Sequence, residues 1–135
     1  MKKKLNCILL VDDDPDDNFF HQRIINKMEI TNAIEVAKNG IEALEYLKKE
    51  NQLIPELIFL DINMPKMNGW EFLGKYKELD EKCKARITIM MLTTSANPDD
   101  IKRANEIEDV TGIKTKPLSV EMVNEILAAH FQDYF

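Results

Sequence analysis

Mainly apolar and mainly polar segments alternate along the chain in blocks that predict five buried strands separated by helices. The apolar blocks predict strands at residues 5–11, 33–37, 56–60, 87–92 and 110–115. The remaining segments carry apolar residues three or four positions apart, which predicts amphipathic helices over about residues 15–28, 40–47, 69–79, 98–107 and 120–131. Strands and helices therefore follow one another in strict alternation.

Capping residues and apolar spacing orient these predicted helices. Typical N-terminal signals occur at Asp14-Pro15, Asn39-Gly40, Asn97-Pro98 and Ser119. Asp14, Asp16 and Asp17 are interpreted as capping and helix-dipole residues. The positions expected on the inner faces of the first, second, third and fifth helices are Phe20, Ile24 and Met28; Ile41, Leu44 and Leu47; Phe72, Leu73 and Tyr76; and Val123, Ile126, Leu127 and His130.

This alternation predicts the fold class. Five strands joined by helices through short connections require a parallel sheet that is covered on both faces. Chains of five such units most often adopt the strand order 2-1-3-4-5, which opens a crevice between strands 1 and 3. We therefore expect a doubly wound, flavodoxin-like α/β fold, formed by a single domain over residues 1–135 with no internal repeat or interdomain linker.

Composition narrows the range of partners. The 135 residues carry a net charge of −6, which disfavours nucleic acid, and the one basic run, residues 2–4, is interpreted as a solubilising flank. Cys7 and Cys83 lack metal-site spacing and are expected to be reduced thiols. No signal sequence is recognisable, and no apolar stretch approaches the roughly 20 residues that cross a bilayer. A soluble, cytoplasmic protein without a membrane partner is predicted.

The polar residues that end the strands indicate the chemistry. The central strand runs directly into Asp61, and the first strand ends at Asp12 and Asp13. If strands 1 and 3 are neighbours, three carboxylates meet at one rim, where their repulsion favours a bound cation. Oxygen ligands in an open loop site suit Mg2+, with two carboxylates, a backbone carbonyl and waters. The remaining coordination position would suit a phosphoryl oxygen.

Two further strands bring complementary groups to the same rim. Strand four delivers the Thr93 hydroxyl and strand five the Lys116 ammonium; Thr94 and Ser95 compete with Thr93, but the register of the apolar run favours Thr93. A metal ion, an ammonium and a hydroxyl together stabilise charge on a transferring phosphoryl group. A carboxylate can accept that group as an acyl phosphate. The strand ends thus predict phosphoryl transfer to Asp61.

These motifs resemble those of response-regulator receiver domains, the class that includes the chemotaxis regulator CheY. The matching segments, in the family's order and spacing, are Leu10-Val11-Asp12-Asp13, Leu60-Asp61-Ile62-Asn63-Met64-Pro65 with Asn68-Gly69, Leu92-Thr93 and Lys116-Pro117. The resemblance implies that Asp61 is the phosphoacceptor and that Thr93 and Lys116 bind the phosphoryl group. It implies Mg2+ ligands at Asp13, Asp61 and the Asn63 carbonyl, with Asp12 acting mainly through a metal-bound water.

The resemblance also implies partners. The phosphoryl donor would be a phosphohistidine on a sensor histidine kinase or a histidine phosphotransfer protein. Because the predicted receiver fills the sequence, we expect a stand-alone signalling domain, not an enzyme, whose output partner binds the fourth helix, fifth strand and fifth helix. Residues expected to contribute there are Lys102, Arg103, Glu106 and Lys114. A partner or homodimer contact is also expected from the aromatic tail, Phe131, Tyr134 and Phe135.

The sequence departs from the family pattern at Ile113, three residues before Lys116, where many receivers carry a switch aromatic. Isoleucine offers neither a ring nor a hydroxyl for a rotamer switch, so we expect phosphorylation to shift the loop after strand four and the fourth helix without an aromatic gate. Small polar residues follow two positions after Asp61 and Thr93, at Asn63 and Ser95. They predict a short-lived acyl phosphate that water reaches easily.

Two other functions remain open on sequence grounds. Hydrolases of the phosphoaspartate class also use an aspartate at a strand end, but they generally need a second aspartate two residues later, where this chain has Asn63. A degenerate flavodoxin-like binder of a flavin or nucleotide would need a glycine-rich loop after strand one, where residues 12–14 are all aspartates. His21 and His130 are interpreted as ordinary helical residues, not phosphorelay histidines.

Overall fold

The computed structural model describes residues 4–49, 52–84, 87–94 and 97–132. Within these residues the strands are β1 (Ile8–Val11), β2 (Ile34–Ala37), β3 (Leu57–Asp61), β4 (Thr88–Thr93) and β5 (Val110–Thr115). The helices are α1 (Pro15–Met28), α2 (Gly40–Lys48), α3 (Gly69–Tyr76), α4 (Glu81–Lys84), α5 (Pro98–Asn105) and α6 (Val120–His130).

The five strands form one parallel sheet in the order β2-β1-β3-β4-β5, which confirms the predicted topology. The register places Val11 of β1 beside Leu60 of β3, so the chain leaves both strands at the same edge of the sheet. Asp61 in turn lies beside Leu92 of β4. The predicted crevice between β1 and β3 therefore opens where the candidate acidic residues lie.

Two apolar clusters cover the two faces of the sheet, as expected for a doubly wound fold. Alternate residues of β1 and β3 point to opposite sides: Leu9 and Ile58 belong to one cluster, Ile8 and Phe59 to the other. The first cluster includes side chains of α2, α3 and α5, and the second includes side chains of α1 and α6. The central strands are completely buried, which gives the rim a rigid base.

The inner face of α1 differs from the predicted stripe. Phe20 is 44% exposed, and the buried residues of α1 are Asn18, His21 and Ile25. The apolar spacing gave the wrong phase because polar side chains of α1 make specific contacts with the ends of β1 and β5. Asn18 donates through Nδ2 to the Asp12 carbonyl at 2.8 Å, and His21 accepts the Leu118 amide at 3.4 Å.

Three smaller predictions about which side chains are buried or exposed were also wrong. Ile41 is exposed, because the inner face of α2 is formed by Gly40, Ala43, Leu44 and Leu47. His130 is exposed in the last turn of α6. Phe131, expected at a partner surface, is only 6% exposed and packs in the cluster beneath α6. The other two tail aromatics, Tyr134 and Phe135, lie outside the described residues.

Element boundaries differ from the prediction mainly between β3 and β4. Helix α3 ends at Tyr76, and a separate single turn, α4, follows it. Helix α4 escaped prediction because none of its residues is buried, so it has no apolar stripe. Strand β1 begins at Ile8, whereas Leu5 forms only an isolated bridge to Thr31. No helix in the described ranges has both the length and the apolar character needed to traverse a bilayer.

Candidate functional site

The predicted site residues converge at the carboxyl-terminal edge of the sheet. Asp12 follows β1, Asp61 and Thr93 are the last residues of β3 and β4, and Lys116 follows β5. Asp12, Asp61 and Thr93 are buried, whereas Asp13 and Thr94 are exposed. The burial of Thr93 agrees with the register argument that preferred it over Thr94. Ser95, the third candidate, lies outside the described residues.

The Lys116 ammonium lies among three carboxylates. Its Nζ is 2.7 Å from Asp12 Oδ2, 3.0 Å from Asp17 Oδ2 and 3.4 Å from Asp61 Oδ1. The backbone places it there, since the Lys116 amide donates to the Thr93 carbonyl at 2.8 Å and so ties the ends of β4 and β5 together. A single positive charge is thus shared by several acids in a largely dehydrated crevice.

Three carboxylates at the rim are close enough to hold a cation. One oxygen from each of Asp12, Asp13 and Asp61 lies within 4.8 Å of the others. This all-oxygen donor set, open to solvent through exposed Asp13, fits a small hard ion that keeps some of its waters. Asn63 lies two residues beyond Asp61 on the exposed loop, and its carbonyl stays a predicted ligand.

The electrostatics of the crevice raise two pKa values. Burial, together with the neighbouring Asp12 carboxylate, raises the pKa of Asp61 to about 6, although Lys116 partly offsets this. Burial alone would lower the pKa of Lys116, but its hydrogen bonds to Asp12 and Asp17 outweigh burial and raise that pKa above its ordinary value. Lys116 therefore stays charged, but its positive charge does not fully compensate the Asp61 carboxylate.

Backbone contacts fix Asp61 from the side of α3. The Gly69 amide donates to the Ile62 carbonyl at 2.8 Å, and a β-carbon at position 69 would lie only 2.5 Å from the Asp61 carbonyl oxygen. Only glycine allows α3 to begin this close to the acid. Asn68 and Glu71 complete a capping box at that helix terminus. The Asn68-Gly69 pair in the sequence thus has a direct structural reason.

Asp12 is held equally firmly. Its Oδ1 accepts the Asp14 amide at 2.9 Å, its Oδ2 accepts from Lys116, and its carbonyl accepts from Asn18. Its own amide donates to the Ala37 carbonyl at the end of β2. A carboxylate with both oxygens in hydrogen bonds has little freedom to move, so the negative charge of Asp12 is held in one position.

Sequence reasoning missed two α1 residues that contact this site, Asp17 and His21. Asp17 was interpreted only as a dipole residue, yet its carboxylate reaches Lys116. His21 is buried and accepts a backbone hydrogen bond just beyond Lys116. Their spacing of four residues places both on one face of α1, and this was the only signal in the sequence that could have linked them. His130, interpreted as an ordinary helical residue, lies exposed in the last turn of α6.

Comparison with known proteins agrees with this geometry. The sequence model of the response regulator receiver domain matches residues 8–128. The chain is 34% identical over 117 residues to the probable methanogenesis regulatory protein FilR2 of Methanothrix harundinacea, covering 84% of this chain and 74% of that protein. It is 34% identical over 104 residues to response regulator Rcp1 of Synechocystis sp., covering 74% of this chain and 69% of that protein.

Solved structures give the same result. A two-component response regulator from Cytophaga hutchinsonii matches with a TM-score of 0.84 at 28% identity, covering 96% of this chain and 99% of that one. The Mn2+-bound form of Rcp1 matches with a TM-score of 0.71 at 29% identity, covering 92% and 90%. With the family match spanning most of the sequence and the crevice assembled from four strand ends, the chain belongs to the response regulator receiver domain family.

Proposed function

We propose that Asp61 receives a phosphoryl group from a phosphohistidine on a sensor histidine kinase or a histidine phosphotransfer protein. The observation that carries this assignment is the position of its carboxylate. It ends the central strand, lies 3.4 Å from the Lys116 ammonium and shares the rim with the Asp12 and Asp13 carboxylates. Membership of the receiver family supports the same role.

The transfer exchanges one phosphorus bond for another. A carboxylate oxygen of Asp61 attacks phosphorus, the P–N bond to the donor imidazole breaks, and the departing imidazole nitrogen takes up a proton. The product on this chain is an acyl phosphate. Lys116 and the Thr93 hydroxyl, delivered by adjacent strands, bind the phosphoryl oxygens as their charge is redistributed. Through these two contacts, the presence of the phosphoryl group would be relayed to the rest of the fold.

We assign Mg2+ as the cofactor. Asp13, Asp61 and the Asn63 carbonyl would ligate it directly, and Asp12, whose carboxylate is already engaged, would act mainly through a metal-bound water. The ion supplies positive charge that offsets the charges of the carboxylates and the phosphoryl oxygens. The structure of a relative, Rcp1, in an Mn2+-bound form supports a divalent cation as the cofactor.

The site favours a signalling role over hydrolysis of another substrate. Position 63, where a phosphoaspartate hydrolase needs a general acid, is an asparagine on an exposed loop. The aspartates that follow β1 would repel the phosphates of a nucleotide. We therefore propose that the chain itself turns over only its own acyl phosphate. We also propose that it acts in the cytoplasm, where its cysteines, Cys7 and Cys83, stay free thiols.

The output surface is proposed to comprise α5, β5 and α6. Lys102, Arg103 and Glu106 are exposed there, whereas Lys114 is half-buried and pairs with Glu125 at 3.6 Å. A downstream protein would read changes at this face. A homodimer contact now rests on Tyr134 and Phe135, because Phe131 belongs to the core. Truncation after Gln132 tests that contact: an unchanged assembly mass in sedimentation would remove it.

Self-phosphorylation tests the central assignment. The protein is incubated with acetyl phosphate and Mg2+ and its intact mass is measured, with Asp61→Asn and Asp16→Asn treated in parallel. Wild type and Asp16→Asn, whose altered carboxylate is exposed on α1, are expected to gain one phosphoryl group. Asp61→Asn is expected to gain none. Equal labelling of Asp61→Asn would contradict the proposal, as would labelling that is unaffected by chelation of the metal.

A further inference from the structure

Helix α1 contacts the segment after β5 at two points that lie on one face of the helix. Asp17 Oδ2 accepts a hydrogen bond from Lys116 Nζ at 3.0 Å. One turn later, His21 Nε2 accepts the Leu118 amide at 3.4 Å, so this imidazole is neutral with its proton on Nδ1. The side chain of Lys116 and the backbone two residues beyond it are therefore both attached to α1.

The three carboxylates around Lys116 do not compete for it equally. The contacts with Asp12 and Asp17, at 2.7 and 3.0 Å, are hydrogen bonds, whereas Asp61 lies farther away at 3.4 Å. An ammonium has three donors, and here two of them are directed at acids other than the proposed phosphoacceptor. In the unphosphorylated protein, Asp61 therefore makes the longest of the three contacts with the Lys116 ammonium.

Exposure identifies the carboxylate that can release it. The Asp12 side chain is only 6% exposed and would remain an uncompensated buried charge without its partner. The Asp17 side chain is 36% exposed, so water can replace the ammonium there at small cost. A phosphoryl group on Asp61 adds negative charge close to the ammonium, which shifts the balance away from Asp17.

We propose that Asp17 is a positioning residue that holds the Lys116 ammonium in the unphosphorylated protein and releases it to the phosphoryl group. His21 anchors the chain beyond Lys116, so that the ammonium moves while its backbone stays in place. This inference rests on the proposed function of Asp61 and adds to it a competitor that sets how readily the phosphorylated state forms.

The competition is tested with beryllium trifluoride, a phosphoryl mimic that binds an acceptor carboxylate, titrated calorimetrically in the presence of Mg2+. Asp17→Asn removes the competing charge and should bind the mimic about three- to tenfold more tightly than wild type, the range expected for loss of one partly exposed ion pair. Asp16→Asn is the matched control, since it makes the same charge change one residue away without an ion pair to Lys116 among the described contacts. Asp17→Glu, which can restore the pair, should return the affinity towards the wild-type value.

The resting contact has its own readout. The Lys116 ammonium resonance in 15N nuclear magnetic resonance should shift in Asp17→Asn but not in Asp16→Asn, with no mimic present. For the anchor, His21→Leu should accelerate hydrogen exchange at the Leu118 amide and weaken binding of the mimic, whereas His21→Gln, which can present an acceptor oxygen, should recover both. Denaturant unfolding of each variant shows whether the fold persists.

The outcomes separate this inference from the function beneath it. Equal or weaker binding of the mimic by Asp17→Asn than by Asp16→Asn, in proteins that bind it and fold normally, overturns the release of Lys116 by Asp17. Unchanged exchange at Leu118 in His21→Leu overturns the anchor. If wild type neither binds the mimic nor gains a phosphoryl group, the proposed function of Asp61 fails first, while the resonance of Lys116 still decides whether Asp17 holds the lysine.

Discussion

The side chains at the rim carry more negative charge than the fold can neutralise alone. Asp12 and Asp61 are buried, and the Asp13 carboxylate lies close to both. Among the described residues, Asp12, Asp17 and Asp61 share the Lys116 ammonium. Such crowding opposes folding, because charged groups removed from water need compensation. The same crowding makes the rim attractive to a cation. Function and stability are therefore in opposition at this site.

This opposition predicts that Asp61→Asn stabilises the metal-free protein as the pH rises. A pKa of about 6 in the folded state, above the ordinary value, means that the folded form binds a proton more tightly than the unfolded chain does. The contribution of Asp61 to stability is therefore greatest below about pH 4 and is lost as the pH rises through 6. Urea unfolding in chelator should show Asp61→Asn gaining up to about 3 kcal/mol over wild type between those pH values.

Addition of Mg2+ is the control for this effect. The ion binds the wild-type carboxylates and should reduce the advantage of the variant at pH 7, because it supplies the missing charge. Comparison with Asp16→Asn removes the general benefit of lowering the net charge of −6. A difference between Asp61→Asn and wild type that stays constant from pH 4 to 7 would contradict the assigned electrostatics of Asp61.

At Gly69, the addition of one methyl group is expected to affect both stability and the position of Asp61. In Gly69→Ala the new methyl would lie 2.5 Å from the Asp61 carbonyl oxygen, so α3 or the end of β3 must move. We expect a loss of about 1–3 kcal/mol in the free energy of unfolding and slower self-phosphorylation, since the acceptor is displaced. Gly74→Ala is a matched control on the same helix, because a β-carbon there meets no atom within 4 Å. Equal behaviour of the two variants would show that α3 does not hold Asp61.

At the scale of elements, strands were more predictable than the faces of helices. The strands inside the sheet, β1, β3 and β4, are nearly continuous apolar runs, so their positions are evident from the sequence. The edge strands β2 and β5 are partly exposed and include polar residues. Four of the five predicted strand starts lie within one residue of those observed. The inner face of α1 could not be predicted because Asn18 and His21 are buried by hydrogen bonds to backbone groups distant in sequence. Hydrophobic spacing contains no information about such partners.

A contact between α3 and α5 gives a way to observe the output helix. The Arg103 guanidinium lies 4.4 Å from the centre of the Trp70 ring, and Trp70 is the only tryptophan in the chain. Trp70 follows Gly69, which touches the Asp61 backbone. If phosphorylation shifts α5, the environment of this indole changes. We expect phosphorylation to alter the fluorescence of Trp70.

The change should depend on Arg103. Arg103→Gln removes the stacked cation and is expected to reduce the response to less than about half, whereas Lys102→Gln, an exposed neighbour on α5, should leave it intact. Ile113, which is half-buried against the cluster that includes Met91, has no ring to provide an alternative signal. Equal fluorescence changes in wild type, Arg103→Gln and Lys102→Gln would show that Trp70 fluorescence does not report movement of α5.

At the scale of the whole molecule, strand order joins residues that are far apart in sequence into one site. Asp12, Asp61, Thr93 and Lys116 could be named from the sequence because each lies at the end of a predicted strand, and parallel strands place such ends along one edge. Asp17 could not be assigned to the site, since its contact with Lys116 depends on how α1 crosses the sheet. The local pattern of capping residues explained Asp17 equally well.

Chemical trapping of the phosphorylated residue tests the central claim most directly. The protein is phosphorylated with acetyl phosphate and Mg2+, reduced with borohydride, which converts an acyl phosphate to an alcohol, and mapped by peptide mass spectrometry. If Asp61 is the phosphoacceptor, homoserine is expected at position 61 and unmodified aspartates at positions 12, 13 and 17. Homoserine at any of those three positions instead, or its absence at position 61 in a protein that has gained a phosphoryl group, would contradict it.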